Sequence, residues 1–407
     1  MNERHRKLLL LCGKVVVALL LLGWVFSQVH WHDYVVDRAG RSYAVLEARP
    51  SSQHPEELTI RQGMLWWQEQ SVAPIDRFEP IPATGEIVRK GFASSLKDIR
   101  IESLVAASVL YGLLQVILAY RWRLLLKVAQ VAIPFWEAMR LTFLGAFFSI
   151  VVPGTVGGDL VKAYYVGKHT PNKAAALMSI IMDRVLGLTE LTLLATAMLL
   201  AVRLGGLVAP DQLRLPTLMV LAVIAGLIGA FVFLLSPRFR RLLHLGRLYQ
   251  HLPFAHHIRS LGEVTHLYRR NPGAMVAAVL VTFLAHVCWI GSIALLGWGL
   301  HLPTPWYSFF LYIPLIYIIG AVPLTPGGLG LVEKFYLVFL VTADCTPSMV
   351  LALALLVRLL PLLWSLPGAV VAVTGPRLPK AAAMQAELGM TDESPAAPPE
   401  APESRTM

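Results

Sequence analysis

The chain has 407 residues, of which 56% are hydrophobic and 15% are charged. Soluble domains carry about 25% charged residues, so this composition excludes a large soluble protein and indicates a polytopic membrane protein. Its three cysteines are far apart in the sequence and predict no disulfide framework. The net charge of +10 comes from basic residues near predicted helix ends, which membrane orientation explains better than binding to nucleic acid.

The N-terminal part predicts one helix followed by a polar insertion. Residues 1–28 join a basic start to an uncharged run. This pattern fits a signal peptide or, as we prefer, an uncleaved transmembrane helix over residues 8–28. Residues 29–101 carry nearly balanced charges, turn signals and short β-like runs such as 43–46 and 58–60. We expect a small extracytoplasmic domain there with some β structure.

Residues 102–236 are predicted to form a first membrane repeat. A full span needs about 20 apolar residues, so the shorter apolar run at 141–152 favours a re-entrant hairpin. Basic residues from position 121 onward, with Trp122 among them, predict a cytoplasmic helix end. Full helices are expected at residues 103–120, 174–202 and 215–235.

Residues 237–270 hold seven arginines against one acidic residue. This asymmetry predicts a cytoplasmic loop, with both chain termini also on the cytoplasmic side of the cell membrane. A second membrane repeat is expected over residues 271–374, followed by a disordered tail over 375–407, which is rich in Ala, Pro and Glu. The helices of the second repeat are expected at residues 274–300, 306–322, 331–341 and 348–373. The fold class is therefore an all-α polytopic membrane protein with about seven or eight transmembrane helices.

One short motif occurs in both repeats. Residues 152–159 read V-P-G-T-V-G-G-D, and residues 322–329 read V-P-L-T-P-G-G-L. Irregular backbone is costly in lipid, and paired breaks in two halves indicate a transporter-type site. Counting the spans makes the first hairpin enter from the cytoplasm and the second from outside, so the two copies predict an inverted repeat. The broken backbone is assigned to Pro153, Thr155, Gly157, Gly158, Pro323, Thr325, Gly327 and Gly328.

Charged side chains accompany both copies of the motif. A charge at the bilayer centre costs about 2.5–3.5 kcal/mol, so such residues are expected to face protein or water. In one interpretation, Arg184 and Arg358 only pair with Asp159 and Glu333 and hold the hairpins together. In the other, the two arginines share one polar cavity and bind the phosphate of a lipid headgroup. The candidate ligand residues are Arg184, Arg358, Asp159, Glu333, Asp183 and Lys162.

Other sites receive weaker support from the sequence. Asp183 and Glu190 are seven residues apart and so share a helix face, a spacing that suits residues lining a cavity. His256, His257 and His266 lie in a basic loop, which favours a lipid-facing surface over a metal site. No phosphate-binding loop of the G-x-x-x-x-G-K-[ST] type occurs, and no recognisable hydrolase set is present. We therefore expect no cofactor, no metal and no enzymatic activity.

Three segments of the sequence carry a resemblance to a known family. They are F-F-S-I-V-V-P-G-T-V-G-G-D-L-V-K at 147–162, S-I-I-M-D-R-V-L-G-L at 179–188 and V-P-L-T-P-G-G-L-G-L-V-E at 322–333. With the late Arg358, the chain resembles the lysylphosphatidylglycerol synthetase transmembrane family over residues 103–373. This family includes the flippase domain of MprF-type enzymes. The resemblance implies a protein of the cytoplasmic membrane that moves or binds lipids or lipid-linked glycans. The chain has no soluble aminoacyl-transferase domain, so we do not expect lysyl transfer.

Three functions are therefore weighed. The first is a flippase-like protein that translocates a phospholipid or another anionic polyprenyl lipid or glycolipid. The second is a scaffold or accessory subunit of a lipid- or glycan-modifying enzyme, with residues 29–101 docking an extracytoplasmic protein partner. The third is an intramembrane transferase acting on lipid-linked sugar. It is ranked lowest because no paired catalytic carboxylates stand out.

Overall fold

The computed structural model describes residues 3–45, 57–62, 69–82, 84–151, 157–170, 173–235, 270–322, 324–375, 379 and 381–388. Within these residues the chain is mostly helical, with twelve α-helices and one small β-sheet. The predicted loop at 237–270 lies outside the described residues except for Arg270, and His256, His257 and His266 lie outside them with it. Pro153, Thr155 and Pro323 are also outside the described residues.

The helices follow one another along the chain with the sheet inserted after the first. The first seven are α1 (Glu3–Ser27), α2 (Phe92–Lys97), α3 (Ile101–Val128), α4 (Phe135–Val151), α5 (Gly157–Gly167), α6 (Lys173–Leu204) and α7 (Arg214–Leu235). The remaining five are α8 (Pro272–Gly299), α9 (Trp306–Gly320), α10 (Leu331–Leu340), α11 (Pro347–Thr374) and α12 (Ala381–Glu387).

Four of these helices are long and apolar enough to cross a membrane: α3, α6, α8 and α11. Shorter apolar stretches lie in α1, α7 and α9. The prediction of a membrane protein with transmembrane helices is confirmed, whereas the number of seven or eight spans stays a prediction.

Four antiparallel strands form a meander in the order β1 (Tyr34–Val36), β2 (Ser42–Val45), β3 (Glu57–Gln62) and β4 (Glu69–Pro74). Alternate apolar side chains on the strands point to one side and pack around Val35, Ile60 and Phe78. The β structure expected between residues 29 and 101 is therefore confirmed.

The chain divides into two compact units. The first comprises residues 1–115, 188–226 and 283–364, and the second comprises residues 116–187, 227–282 and 365–407. The first unit has its core around Leu296, Ile313 and Tyr336. The core of the second surrounds Trp122 and Leu141.

Helix α3 and the tail differ from the sequence prediction. Helix α3 continues to Val128 instead of ending near residue 120, because the R-W-R-L-L-L-K stretch is made mostly of strong helix formers. Arg121 and Trp122 therefore lie inside the helix, and both are buried. The tail expected to be disordered contains α12, and Met384 of this helix and Leu388 directly after it are buried in the second unit's core. Burial of these two apolar side chains stabilises the helix, although the overall composition of the tail does not predict a folded segment.

Candidate functional site

The first hairpin consists of α4 and α5, which pack closely through glycine. A Cβ built on Gly158 would overlap both the Gly145 carbonyl oxygen and the Ser149 hydroxyl oxygen. Gly157 and Gly158 are the first two residues of α5. Gly157 and Gly158 thus follow the break as the start of a helix, where Gly158 permits close packing, and the assignment of a broken backbone to this stretch stays a prediction.

The second hairpin consists of α9, a 3₁₀ turn at Pro326–Gly328 and α10. Gly327, Gly328 and Gly330 have φ values of 59°, 69° and 76°, in the left-handed region that favours glycine. Thr325 is extended and buried in front of this turn. Thr325, Gly327 and Gly328 therefore lie in irregular backbone between α9 and α10.

The two hairpins place their acidic residues at the same helical position. Asp159 is the third residue of α5, and Glu333 is the third residue of α10. Each acid pairs with an arginine 25 residues further along the chain. The glycine pairs do not share this register, because Gly158 directly precedes Asp159 whereas Gly328 precedes Glu333 by five residues. When the two hairpins are compared by structure, Asp159 and Glu333 therefore occupy equivalent positions, whereas the two Gly-Gly pairs do not.

Arg358 is held by the second hairpin through several bonds. Its Nε donates to Glu333 Oε1, while its Nη1 and Nη2 donate to the carbonyls of Gly327 and Gly328 at 3.3 and 3.1 Å. The other oxygen of Glu333 accepts the Gly330 amide at 2.8 Å. The Glu333 side chain is only 2% exposed and that of Arg358 is 29% exposed. This arginine thus satisfies carbonyl groups that the broken helix leaves without intrahelical partners.

Arg184 is far more accessible than Arg358. Its Nε and Nη2 both lie 2.8 Å from Asp159 Oδ2, and its side chain is 60% exposed. The expected pairing of each arginine with its acid is thus present in both hairpins, but the surroundings of the two pairs differ.

A second ion pair lies in the same unit as Arg184. Arg121 in α3 places Nε and Nη2 2.9 Å from Asp183 Oδ1 in α6. The Arg121 side chain is 7% exposed, and the Asp183 carboxylate is partly buried. Asp183 therefore holds a buried arginine. Glu190, seven residues later on α6, is buried in the first unit.

Lys162 joins these two ion pairs into one charged cluster. Its Nζ lies 5.0 Å from the centre of the Trp122 ring, and its aliphatic carbons lie beside Gly145. Both aspartates and both arginines act on it electrostatically. We call Arg121, Asp159, Lys162, Asp183 and Arg184 the hairpin-1 cluster. With Lys162 ionised it carries three positive charges against two negative charges.

Trp122 adds an unused donor beside the cluster. Its side chain is 1% exposed, and its Nε1 has no hydrogen-bond partner among the described residues. A buried donor without a partner is costly, so it is suited to a ligand or a water. Sequence reasoning missed Arg121 and Trp122 because a basic residue beside tryptophan after an apolar run is also typical of a membrane-surface helix end.

Possible metal ligands form no cluster in the described part of the chain. No group of three or more His, Cys, Asp or Glu side chains there is placed to hold a metal ion.

The sequence model of the family described as "Lysylphosphatidylglycerol synthase TM region" matches residues 89–368. No curated protein matches the chain. The match spans well over half of the chain and includes both hairpins, Arg184 and Arg358, whereas α1 and the four strands precede it. The chain therefore belongs to the lysylphosphatidylglycerol synthase transmembrane-region family.

Proposed function

We propose that this protein binds membrane lipids with an anionic headgroup and translocates them across the cytoplasmic membrane, acting as a flippase and not as an enzyme. The observation that carries the proposal is the hairpin-1 cluster, which holds three positive charges against two negative charges when Lys162 is ionised. A net charge within membrane segments is expensive unless a counter-charge or water meets it. A phosphate with one negative charge would neutralise the cluster.

Within this proposal Arg184 makes the first contact with the phosphate. It is the most exposed member of the cluster, and a guanidinium binds phosphate oxygens in a bidentate way. Asp159 holds Arg184 when no lipid is bound and releases it when a phosphate competes. Lys162 supplies the third positive charge, while Asp183 holds Arg121 at its side.

The backbone of α5 supports the same site. Its first turn starts at Gly157, and the amides at a helix N-terminus have no intrahelical acceptor. Such amides favour an anion, and the helix dipole adds to the effect. Two glycines at this end keep side chains away from these donors.

The second hairpin takes a different part in the proposal. Arg358 already donates to Glu333 and two carbonyl groups, so releasing it for a headgroup would leave several buried acceptors unpaired. We assign Arg358 to holding the second hairpin together. The inverted arrangement of the two hairpins and a common cavity for both arginines stay predictions.

The experiment is lipid translocation by the purified full chain in liposomes. The labelled lipids are phosphatidylglycerol, which is anionic, and phosphatidylcholine, which carries no net charge. We expect faster translocation of phosphatidylglycerol, and about a tenfold loss in Arg184→Ala, because charged hydrogen bonds contribute about 1.5–3 kcal/mol each. Arg184→Lys should restore little, since an ammonium group cannot bind in a bidentate way.

Arg140→Ala is the matched control. Arg140 belongs to the same unit and also pairs with an acid, Glu137, at 3.0 Å, but it is not part of the cluster. Equal translocation by Arg184→Ala and Arg140→Ala, or no translocation by the wild type, would contradict the proposal.

A scaffold function is the second candidate. It is favoured by the four-stranded sheet, which precedes the family-matched residues and has β4 paired on one side only, with β3, among the described strands. An open strand edge is a common docking surface for another protein. Absence of lipid translocation together with a protein partner cross-linked to the sheet domain would favour this function over the first.

A further inference from the structure

Helix α1 packs against the second hairpin although it precedes the family-matched residues 89–368. Val25 is fully buried, and with Val29 it joins the core that contains Val332 and Leu337 of α10. In addition, Lys334 Nζ lies 5.2 Å from the centre of the Trp24 ring. The N-terminal helix is thus seated on the helix that carries Glu333.

A close approach occurs at Gly330, directly before α10. A Cβ on this residue would lie 2.7 Å from Leu21 Cβ and 2.9 Å from the Ala18 carbonyl oxygen. The Gly330 amide donates to Glu333, which in turn accepts from Arg358. One residue therefore joins the backbone of α1 to the buried ion pair.

The chain just after α1 also contacts the helix that carries Arg358. The His30 amide donates to Ser348 Oγ, and the Ser348 hydroxyl donates in return to the His30 carbonyl, each at 3.1 Å. Ser348 is the second residue of α11. The N-terminal segment thus contacts both helices whose side chains form the ion pair.

We propose that α1 is a clamp that holds the second hairpin closed and so controls when the Glu333–Arg358 pair can separate. Glycine at position 330 lets α1 approach the hairpin backbone, so the hairpin cannot move at this point unless α1 moves with it. The sheet begins at Tyr34, shortly after α1 ends at Ser27. A partner or force acting on the sheet would therefore reach the hairpin through α1, and any such coupling is reciprocal. The clamp does not depend on which lipid, if any, the protein moves.

Amide hydrogen exchange of the full chain in lipid nanodiscs tests the clamp. The measured segment is residues 328–336, which includes the Gly330 amide bonded to Glu333 and the Lys334 amide bonded to the Gly330 carbonyl. Ala18→Leu places a larger side chain at a buried position of α1, whereas Val17→Leu enlarges an exposed neighbour. We expect about tenfold faster exchange in Ala18→Leu and no change in Val17→Leu, because only the first forces α1 away from the hairpin.

A second pair of variants approaches the same contact from the hairpin. Gly330→Ala introduces both a positive-φ strain and a collision with α1, while Gly327→Ala has the same kind of strain with nothing within 4 Å. Faster exchange is expected in both, with the larger increase in Gly330→Ala.

Trp24→Ala, which removes only the ring beneath Lys334, replaces Ala18→Leu if that variant does not fold. Its control is Trp136→Ala, at an exposed tryptophan of the second unit. Wild-type exchange of residues 328–336 in folded Ala18→Leu, or in Trp24→Ala where it is used instead, would overturn the clamp. Equal increases in the two glycine variants would overturn it as well. Lipid translocation is not part of this measurement, so its outcome is distinct from that of the liposome experiment.

Discussion

Arg358 forms an ion pair with Glu333 in which both partners also bind the broken backbone of the same hairpin. The glutamate accepts the amide in front of its own helix, and the arginine donates to two carbonyls of the 3₁₀ turn. Each bond satisfies a group that loses its helical partner at the break. The pair therefore stabilises an irregular segment that would otherwise be costly in a membrane.

Replacing Arg358 should destabilise the fold. Arg358→Ala leaves the 2%-exposed Glu333 carboxylate without its partner, and breaking a buried pair in this way costs about 3–5 kcal/mol. We expect a clear fall in the thermal unfolding temperature of the purified chain. Arg184→Ala should change stability by about 0–1 kcal/mol, since its pair is exposed. Similar unfolding temperatures for the two variants would show that the pairs are equivalent.

The packing of the first hairpin depends on the absence of a side chain at position 158. Gly158→Ala would force the new methyl group into the Gly145 carbonyl and the Ser149 hydroxyl. Overpacking of this kind costs about 1–3 kcal/mol. Gly229→Ala in α7 is the control, because a Cβ there meets nothing within 4 Å. Thermal unfolding should separate the two, with Gly158→Ala less stable than the wild type. Equal stability of both variants would mean that α4 can move away at little cost.

The sequence predicted the features that depend on composition and spacing. Membrane helices, the β content of the insertion and the partners of Arg184 and Arg358 follow from hydropathy, turn signals and the cost of an unpaired charge. The register of the two hairpins did not follow from the repeated letters, because glycine serves backbone geometry at Gly328 and close packing at Gly158. Arg121 was missed for a similar reason, since a buried arginine and a membrane-surface arginine look alike until the partner, Asp183, is located in space.

The sidedness of the hairpins is open to test by thiol labelling. Charge asymmetry predicts that the sheet faces outward and that the end of α5 faces the cytoplasm. With Cys12 replaced by Ser, Arg38→Cys and Lys168→Cys put thiols at two exposed positions. A membrane-impermeant maleimide should label position 38 in intact cells and position 168 only after the cells are opened. Outside labelling at position 168 would reverse the predicted topology of the first hairpin.

Acid should destabilise the sheet domain through Asp37. The Arg41 amide, the Tyr43 hydroxyl and the Ala39 amide all donate to this carboxylate and hold its pKa below the usual 3.8. A lowered pKa in the folded state means that the unfolded chain binds the proton more readily. This stabilisation is therefore present above about pH 4 and is lost as the pH falls through the folded value.

Amide exchange over residues 34–45, corrected for its intrinsic pH dependence, should rise as the pH falls below about 4. Asp37→Asn should exchange faster already at neutral pH and respond less to acid, whereas Asp76→Asn, at an exposed position of the same domain, should follow the wild type. A wild-type acid response in Asp37→Asn would assign the effect to another group.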